Sequence, residues 1–229
     1  YSMMDNLHND DCFNVLPSLR GGSVDLVCVD LPYGQTINKW DSIIDLNKMW
    51  DELKRCCKDD CIYVFFTTTK FGYKLIQSNE KWFRYDIVMK KCISGGFLNA
   101  NRQPLRKHEM IYVFYKKTGT YNPQKTDGKP YSRTASHKVT NYGSFDTNGI
   151  NNTDGKRFPV SIIKAIQDDR GKHPTQKPTN ILEWIVKTYS KEGETVLDFT
   201  MGSGSCGVAC KNTNRDFIGI ELDKKYYDV

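Results

Sequence analysis

The stretch Glu194–Asp223, "ETVLDFTMGSGSCGVACKNTNRDFIGIELD", decides how this chain folds. Thr195 to Phe199 is a short apolar run of strand type, and Gly202 and Gly204 break it. From about Ser205 to Asn212 the pattern suits a helix, and Phe217 to Glu221 reads as a second strand. The whole is one βαβ unit of about 30 residues. Its glycines at 202, 204 and 207 match G-x-G-x-x-G, placed after a strand and opening a helix.

Such a turn lets the backbone pass tightly beneath a ligand. Glu221, at the end of the second strand, is positioned to accept hydrogen bonds from both hydroxyls of a ribose. The pattern fits a Rossmann-type adenosine site, with a tight turn of packing glycines as the alternative. A dinucleotide-binding chain would continue through several strands after this unit, whereas only eight residues follow Glu221. The other strands are therefore expected upstream, with the order of parts rotated.

Upstream, Val24 to Val29, Cys61 to Phe66 and Ile111 to Tyr115 have strand character, and Tyr85 to Met89 has it more weakly. Between the first two, Ile43, Ile44, Leu46, Met49, Trp50 and Leu53 recur at helical intervals behind Ser42, a candidate cap. Further helices are predicted over Lys70–Ser78 and Asn180–Tyr189. Strands alternating with helices imply an α/β fold: a Rossmann-like, mostly parallel, doubly wound sheet with helices on both faces. Ligands of such sheets sit beyond the carboxyl ends of the strands, which would bring Asp30-Leu31-Pro32-Tyr33 to the same edge as the glycine turn.

With 229 residues and 38% apolar content, the chain can bury one substantial core. No apolar run approaches the roughly 20 residues of a membrane span, and the polar first residues do not resemble a secretory signal, so an intracellular protein is expected. The eight cysteines include no C-x-x-C pair, and no metal site is expected. Charge is uneven: Lys90–Lys177 holds 17 Lys+Arg against 6 Asp+Glu, and the remainder 16 against 21. Within that basic half, Thr118 to about Lys172 is rich in Gly, Asn, Thr, Lys and Tyr, a length of irregular chain that compact domains rarely carry without a use. Basic residues interleaved with Tyr121, Tyr131, Tyr142, Phe145 and Phe158 suit a phosphate-rich partner; a solvated, loop-rich face is the alternative. The predicted organisation is 1–117 catalytic, 118–172 an inserted target-recognition region, and 173–229 cofactor-binding within the same domain.

Three motifs in order give the chain a resemblance. "DLPY" at Asp30–Tyr33 is similar to a D-P-P-Y motif, "HPTQKP" at His173–Pro178 matches a lead-in, and "DFTMGSGS" at Asp198–Ser205 resembles an F-x-G-x-G cofactor loop. Together they resemble the S-adenosylmethionine-dependent DNA methyltransferases that methylate exocyclic amines, in the group with the catalytic motif first. The resemblance covers nearly the whole chain. "GGFLNANRQPLRKHE" and "TYNPQKTDGKPY" also resemble phage and prophage members specific for adenine.

The resemblance implies methyl transfer from S-adenosylmethionine to N6 of adenine in duplex DNA, on a base rotated out of the helix. Methylation of the 4-amino group of cytosine is the nearest rival, and a non-catalytic DNA-binding subunit a more distant one. Because the amine lone pair is delocalised into the ring, acceptors must draw its protons: the Asp30 carboxylate and the Leu31 carbonyl are assigned to them. Pro32 would fix the loop and Tyr33 stack on the base. Leu31 departs from the usual proline and costs the loop one φ constraint. By the same resemblance Asp11 contacts the cofactor's adenine ring, though it suits a helix N-cap equally. Thr175 and Lys177 lie near the methionyl end, where Lys177 would pair with the carboxylate or simply be solvated. Asp198, Phe199, Gly202 and Gly204 form the loop, with Phe199 near the adenosine or in the core, and Glu221 holds the ribose. From their position shortly after the motif alone, and not from the resemblance, Trp40 and Asp41 are expected to order a loop over the site. The resemblance leaves a homodimer and a cognate restriction nuclease open as partners.

Overall fold

The computed structural model describes residues 7–31, 44–140, 143–147, 149–166, 177–202, 204–222 and 224–228. Pro32, Tyr33, Trp40, Asp41, Ser42, Ile43, His173 and Thr175 lie outside the described residues. The described chain divides into two units, Tyr1–Asn122 with Ser161–Val229, and Pro123–Val160.

The first unit is built on one eight-stranded sheet. Its strands are β1 (Leu7–His8), β2 (Val24–Asp30), β3 (Cys57–Thr67), β4 (Phe83–Gly95), β5 (Arg106–Tyr115), β10 (Ile162–Lys164), β11 (Thr195–Asp198) and β12 (Asp216–Ile220). They lie in the order β1-β12-β11-β2-β3-β5-β4-β10. Every neighbouring pair is parallel except those of β5, which runs against both β3 and β4. The sheet is mostly parallel, as its alternation of strands and helices predicts, but Ile111–Tyr115 joins it in the reverse sense and extends back to Arg106.

Helices cover the sheet: α1 (Cys12–Val15), α2 (Leu46–Cys56), α3 (Thr69–Ser78), α4 (Thr179–Tyr189), α5 (Ser205–Asn212) and α6 (Lys224–Tyr227). Alternate residues of β2 feed opposite faces, Val27 and Val29 into one core with Trp50, Leu53 and Phe65, Leu26 and Cys28 into another with Val64, Leu182 and Val186. Burial on both faces explains why β2 reads as a continuous apolar run rather than an alternating one. The predicted helix behind β2 starts at Leu46, capped by Asp45, whose carboxylate accepts from the Lys48 N–H at 3.1 Å. Trp50 on α2 packs edge-on against Tyr63, Phe65 and Trp82, and its indole N–H donates to the Ser78 hydroxyl.

The second unit carries short paired strands, β6 (Tyr131–Arg133) with β9 (Ile150–Asn152) and β7 (Ser136–Thr140) with β8 (Gly143–Thr147). Arg157 organises it, its guanidinium lying 4.6 Å from the Tyr131 ring and donating to the carbonyls of Gly155 and Lys129. This unit occupies less of the chain than the predicted insertion. Ile162–Lys164, within the "VSIIKAI" run, instead pairs with β4 at the sheet edge.

Gly207 sets how closely α5 lies on β12. A Cβ there would stand 2.7 Å from the Phe217 ring. Gly207→Ala is expected to destabilise the fold by about 1–3 kcal/mol through overpacking. Val208→Ala, at the exposed neighbour, should be near neutral; urea denaturation of both variants checks the contrast.

Candidate active site

β12, β11 and β2 are neighbours, and their carboxyl ends present Glu221, Asp198 and Asp30 in a row. Glu221 and Asp30 stand two strand spacings apart, about 10 Å. The turn after β11 ties the three ends together. Thr200 donates its N–H to Asp198 at 3.0 Å and its hydroxyl to the Asp30 carbonyl at 2.8 Å. Met201 donates its N–H to the Ile220 carbonyl, and Gly202 donates its own to the Glu221 carboxylate at 2.7 Å. Gly204, at φ +81°, is the N-cap of α5 in the left-handed conformation a glycine adopts without strain. Among the described residues, and leaving aside its chain neighbours and its own helix, no atom lies within 4 Å of the point its Cβ would occupy, which leaves open space above the turn there.

These features fit an adenosyl ligand. A buried carboxylate ends the second strand, the glycine turn passes beneath open space, and the first turn of α5 follows. Asp198 is buried, and burial, followed by the neighbouring Cys206, pushes its carboxyl well above the usual range. Phe199 is buried in the core beside Leu197 and Ile220, the packing alternative allowed by its sequence. Asp11 caps α1, accepting from the Phe13 N–H at 2.9 Å.

On the other side of β2, Asp30 meets a charge cluster that the sequence does not announce. The Lys177 ammonium lies 3.4 Å from Asp30, forms a short ion pair with Glu109, and faces the Phe66 ring at 5.3 Å. Lys91 stands 3.8 Å from the same Glu109. Burial alone would lower the Lys177 pKa, but Asp30 and Glu109 outweigh it and raise it. For Glu109 burial pushes upward, and Lys177 followed by Lys91 holds the carboxyl below the usual range. Lys177 is thus engaged by two carboxylates of the protein itself, instead of being solvated. Leu31 is buried and donates its N–H to the Phe66 carbonyl at 3.0 Å. Glu109 was visible only as an acidic residue inside an apolar strand, a pattern that itself asks for a buried partner.

A family model described as DNA methylase, of the N6/N4 type, matches residues 24–229. The chain belongs to the DNA methylase family. It is an S-adenosylmethionine-dependent amino-methyltransferase acting on DNA. Among its relatives, the Type II methyltransferase M2.DpnII of Streptococcus pneumoniae is 27% identical over 97% of this chain and 87% of that protein. The Type II methyltransferase M1.MboII of Moraxella bovis is also 27% identical, over 97% and 94%. The solved complex of M1.HpyAVI with S-adenosylmethionine superposes with a TM-score of 0.67 at 22% identity, covering 97% of this chain and 96% of that one. The PvuII cytosine-N4-specific DNA methyltransferase does so at 0.71 and 12%, covering 96% and 83%. At these identities the two structures establish the shared fold.

The charge cluster has a consequence for stability. A carboxylate whose folded pKa lies below its unfolded value stabilises the fold above the ordinary carboxylate pKa, and that contribution fades as pH falls through the folded value. Removing the ammonium in Lys177→Met leaves burial of Glu109 opposed only by the more distant Lys91 among the cations that hold its carboxyl down. The loss expected at pH 7 is about 2–3 kcal/mol, somewhat under that of a fully buried pair because Glu109 keeps some exposure. The deficit should narrow below about pH 4, where Glu109 loses its charge in the variant. Urea denaturation at both pH values tests this, and an equal deficit would assign the loss to packing.

Proposed function

We propose that the protein methylates N6 of adenine within a short DNA sequence, on a base turned out of the duplex. The observation that carries this reading is Asp30, fixed at the end of β2 between the Thr200 turn and the Lys177 ammonium. In the resemblance, an aspartate at this first motif position favours adenine, and cytosine N4 presents the same amine geometry to the same groups.

S-adenosylmethionine supplies an electrophilic methyl group on a sulfonium. The protein supplies the rest. An ammonium 3.4 Å from the Asp30 carboxylate favours its charged form, so Asp30 serves as an acceptor for one amine proton. The Leu31 carbonyl takes the other, drawing the nitrogen lone pair out of conjugation with the ring. The Thr200 hydroxyl holds the Asp30 carbonyl toward β11, which fixes the backbone from which both acceptors project. Asp30 then receives or relays the proton released once the nitrogen is methylated. Pro32 and Tyr33 complete the motif by restraining the loop and stacking on the base.

Glu221, Asp198, Phe199, Gly202 and Gly204 hold the cofactor in this reading, with Asp11 and Thr175 contributing at its adenine and methionyl ends. Lys177 acts on Asp30 while lining the same end. The Pro123–Val160 unit, with its Arg157–Tyr131 and Lys125–Phe158 pairs, reads the sequence. The Type II names of the relatives support a setting in which the methyl mark protects intracellular DNA from a companion restriction nuclease.

Transfer of a labelled methyl group to unmethylated genomic DNA, followed by digestion to nucleosides, tests both reaction and base. Label in 6-methyladenine is expected; label in 4-methylcytosine would keep the mechanism and change the substrate. Asp30→Ala should lower transfer by at least about 1,000-fold with cofactor affinity kept. Glu221→Ala should weaken S-adenosylmethionine binding by about 10-fold or more, measured by calorimetry. Equal cofactor affinity in the Glu221 variant would remove its assigned role.

A further inference from the structure

The ribbon formed by β4 and β5 runs past the rest of the sheet. Asp30, Phe66, Ile111 and Ile87 lie opposite one another across β2, β3, β5 and β4, which marks the level of the catalytic carboxylate. β5 begins five residues beyond that level, at Arg106, so the ribbon projects about 17 Å outward on the side of the strand ends that hold Asp30. Its tip, residues 96–105, carries Phe97 at 66% exposure and Leu98 fully exposed, with Ile93 also uncovered. From Lys90 to Lys107 the ribbon has five Lys+Arg and no Asp or Glu. Arg102, Arg106 and Lys107 are all exposed.

This tip is built. Gly96 at φ +81° starts a 3-10 turn over Phe97–Asn99, and the N–H groups of Arg102 and Gln103 both donate to the Asn99 carbonyl. The Lys107 ammonium donates to the Cys92 carbonyl at 2.6 Å, crossing the ribbon. The ribbon's root is fastened on two sides, by the Ala165 N–H to the Lys90 carbonyl and by Glu109 to Lys177, which itself pairs with Asp30. Two large apolar side chains are therefore held in water at the tip of an arm whose charged residues from 90 to 107 are all basic and whose root is tied to Asp30.

We propose that this arm is a second DNA-contacting element, in which Phe97 and Leu98 wedge into the base stack beside the rotated base while Arg102 and Arg106 neutralise flanking phosphates. Proteins that open or kink a duplex use apolar residues of this type to replace lost stacking, and basic neighbours to hold the backbone. An exposed Phe-Leu pair on a charged arm has no folding role to account for it, whereas an extruded base leaves an apolar gap to fill. The inference rests on DNA as the substrate, which the family membership shows, and is independent of which base is methylated.

The test compares Phe97→Ser/Leu98→Ser and Arg102→Ala/Arg106→Ala with the wild-type chain on labelled 30-base-pair duplexes, one intact and one with a central abasic site. The wild type is expected to prefer the abasic duplex. The wedge variant should lose that preference and transfer methyl groups to unmethylated genomic DNA at least about 10-fold more slowly, with unchanged S-adenosylmethionine affinity. The arginine variant should weaken binding to both duplexes and reduce the salt slope by about two. A wedge variant with wild-type preference and transfer rate, or an arginine variant with an unchanged salt slope, would overturn the proposal. Label found in cytosine instead of adenine would alter the proposed function and leave this result standing.

Discussion

The parallel pairing of β11 with β2 is the constraint on which the site depends. These strands come from opposite ends of the chain, yet Val196 and Leu197 lie opposite Leu26 and Val27. The seam is closed at both ends by a side chain bonded to backbone. At its foot the Asp25 carboxylate accepts the Thr195 N–H at 2.9 Å; at its top the Thr200 hydroxyl reaches the Asp30 carbonyl at 2.8 Å. A slip of one residue would exchange the two faces of β11, exposing Val196 and Leu197 to the wrong cores. Correct register therefore delivers Asp30, Leu31 and the glycine turn to one edge together.

Charge then divides that edge by distance from the sheet. At the strand ends, Asp30 and Glu221 flank the buried Asp198, whose carboxyl is pushed toward its neutral form, and Lys177 lies beside Asp30. Farther out along the β4–β5 ribbon the sign reverses, with Lys90, Arg102, Arg106 and Lys107 exposed and no Asp or Glu between residues 90 and 107. A polyanion would be attracted to the outer charge and repelled by the inner one. The Glu109–Lys177–Asp30 chain joins the two zones, so the outer arm and the Asp30 carboxylate share a fixed attachment.

What the sequence made legible is what local chemistry determines. The β11–α5–β12 unit falls within a residue of its expected bounds, because an apolar run, a glycine turn and a helix each leave a short-range signature. The reversal of β5 was not legible: a strand's direction in a sheet depends on the length and path of its connections, and an apolar run looks alike either way. The run "VSIIKAI" is the one apolar stretch in the expected insertion, but so short a run does not announce its partner, and pairing with Val88–Lys90 makes Ile162–Lys164 a strand. Lys177 was read toward the cofactor, since its partner Glu109 lies 68 residues away and their meeting is a product of topology.

Leu31 shows how one position can meet a backbone requirement by different chemistry. The D-P-P-Y motif places proline there, whose ring restricts φ but which has no N–H to donate. Here the Leu31 N–H bonds to the Phe66 carbonyl at 3.0 Å, adding one rung to the β2–β3 ladder just beyond Asp30. Its side chain is 1% exposed and packs in the same core as Val29 and Phe65. The ring constraint is thus replaced by a hydrogen bond and an apolar anchor, which together restrain rotation about the Leu31 N–Cα bond, the torsion a proline ring would fix. In the proposed mechanism this position has to present a backbone carbonyl, and a leucine seated in this way keeps the φ restraint on which that presentation depends.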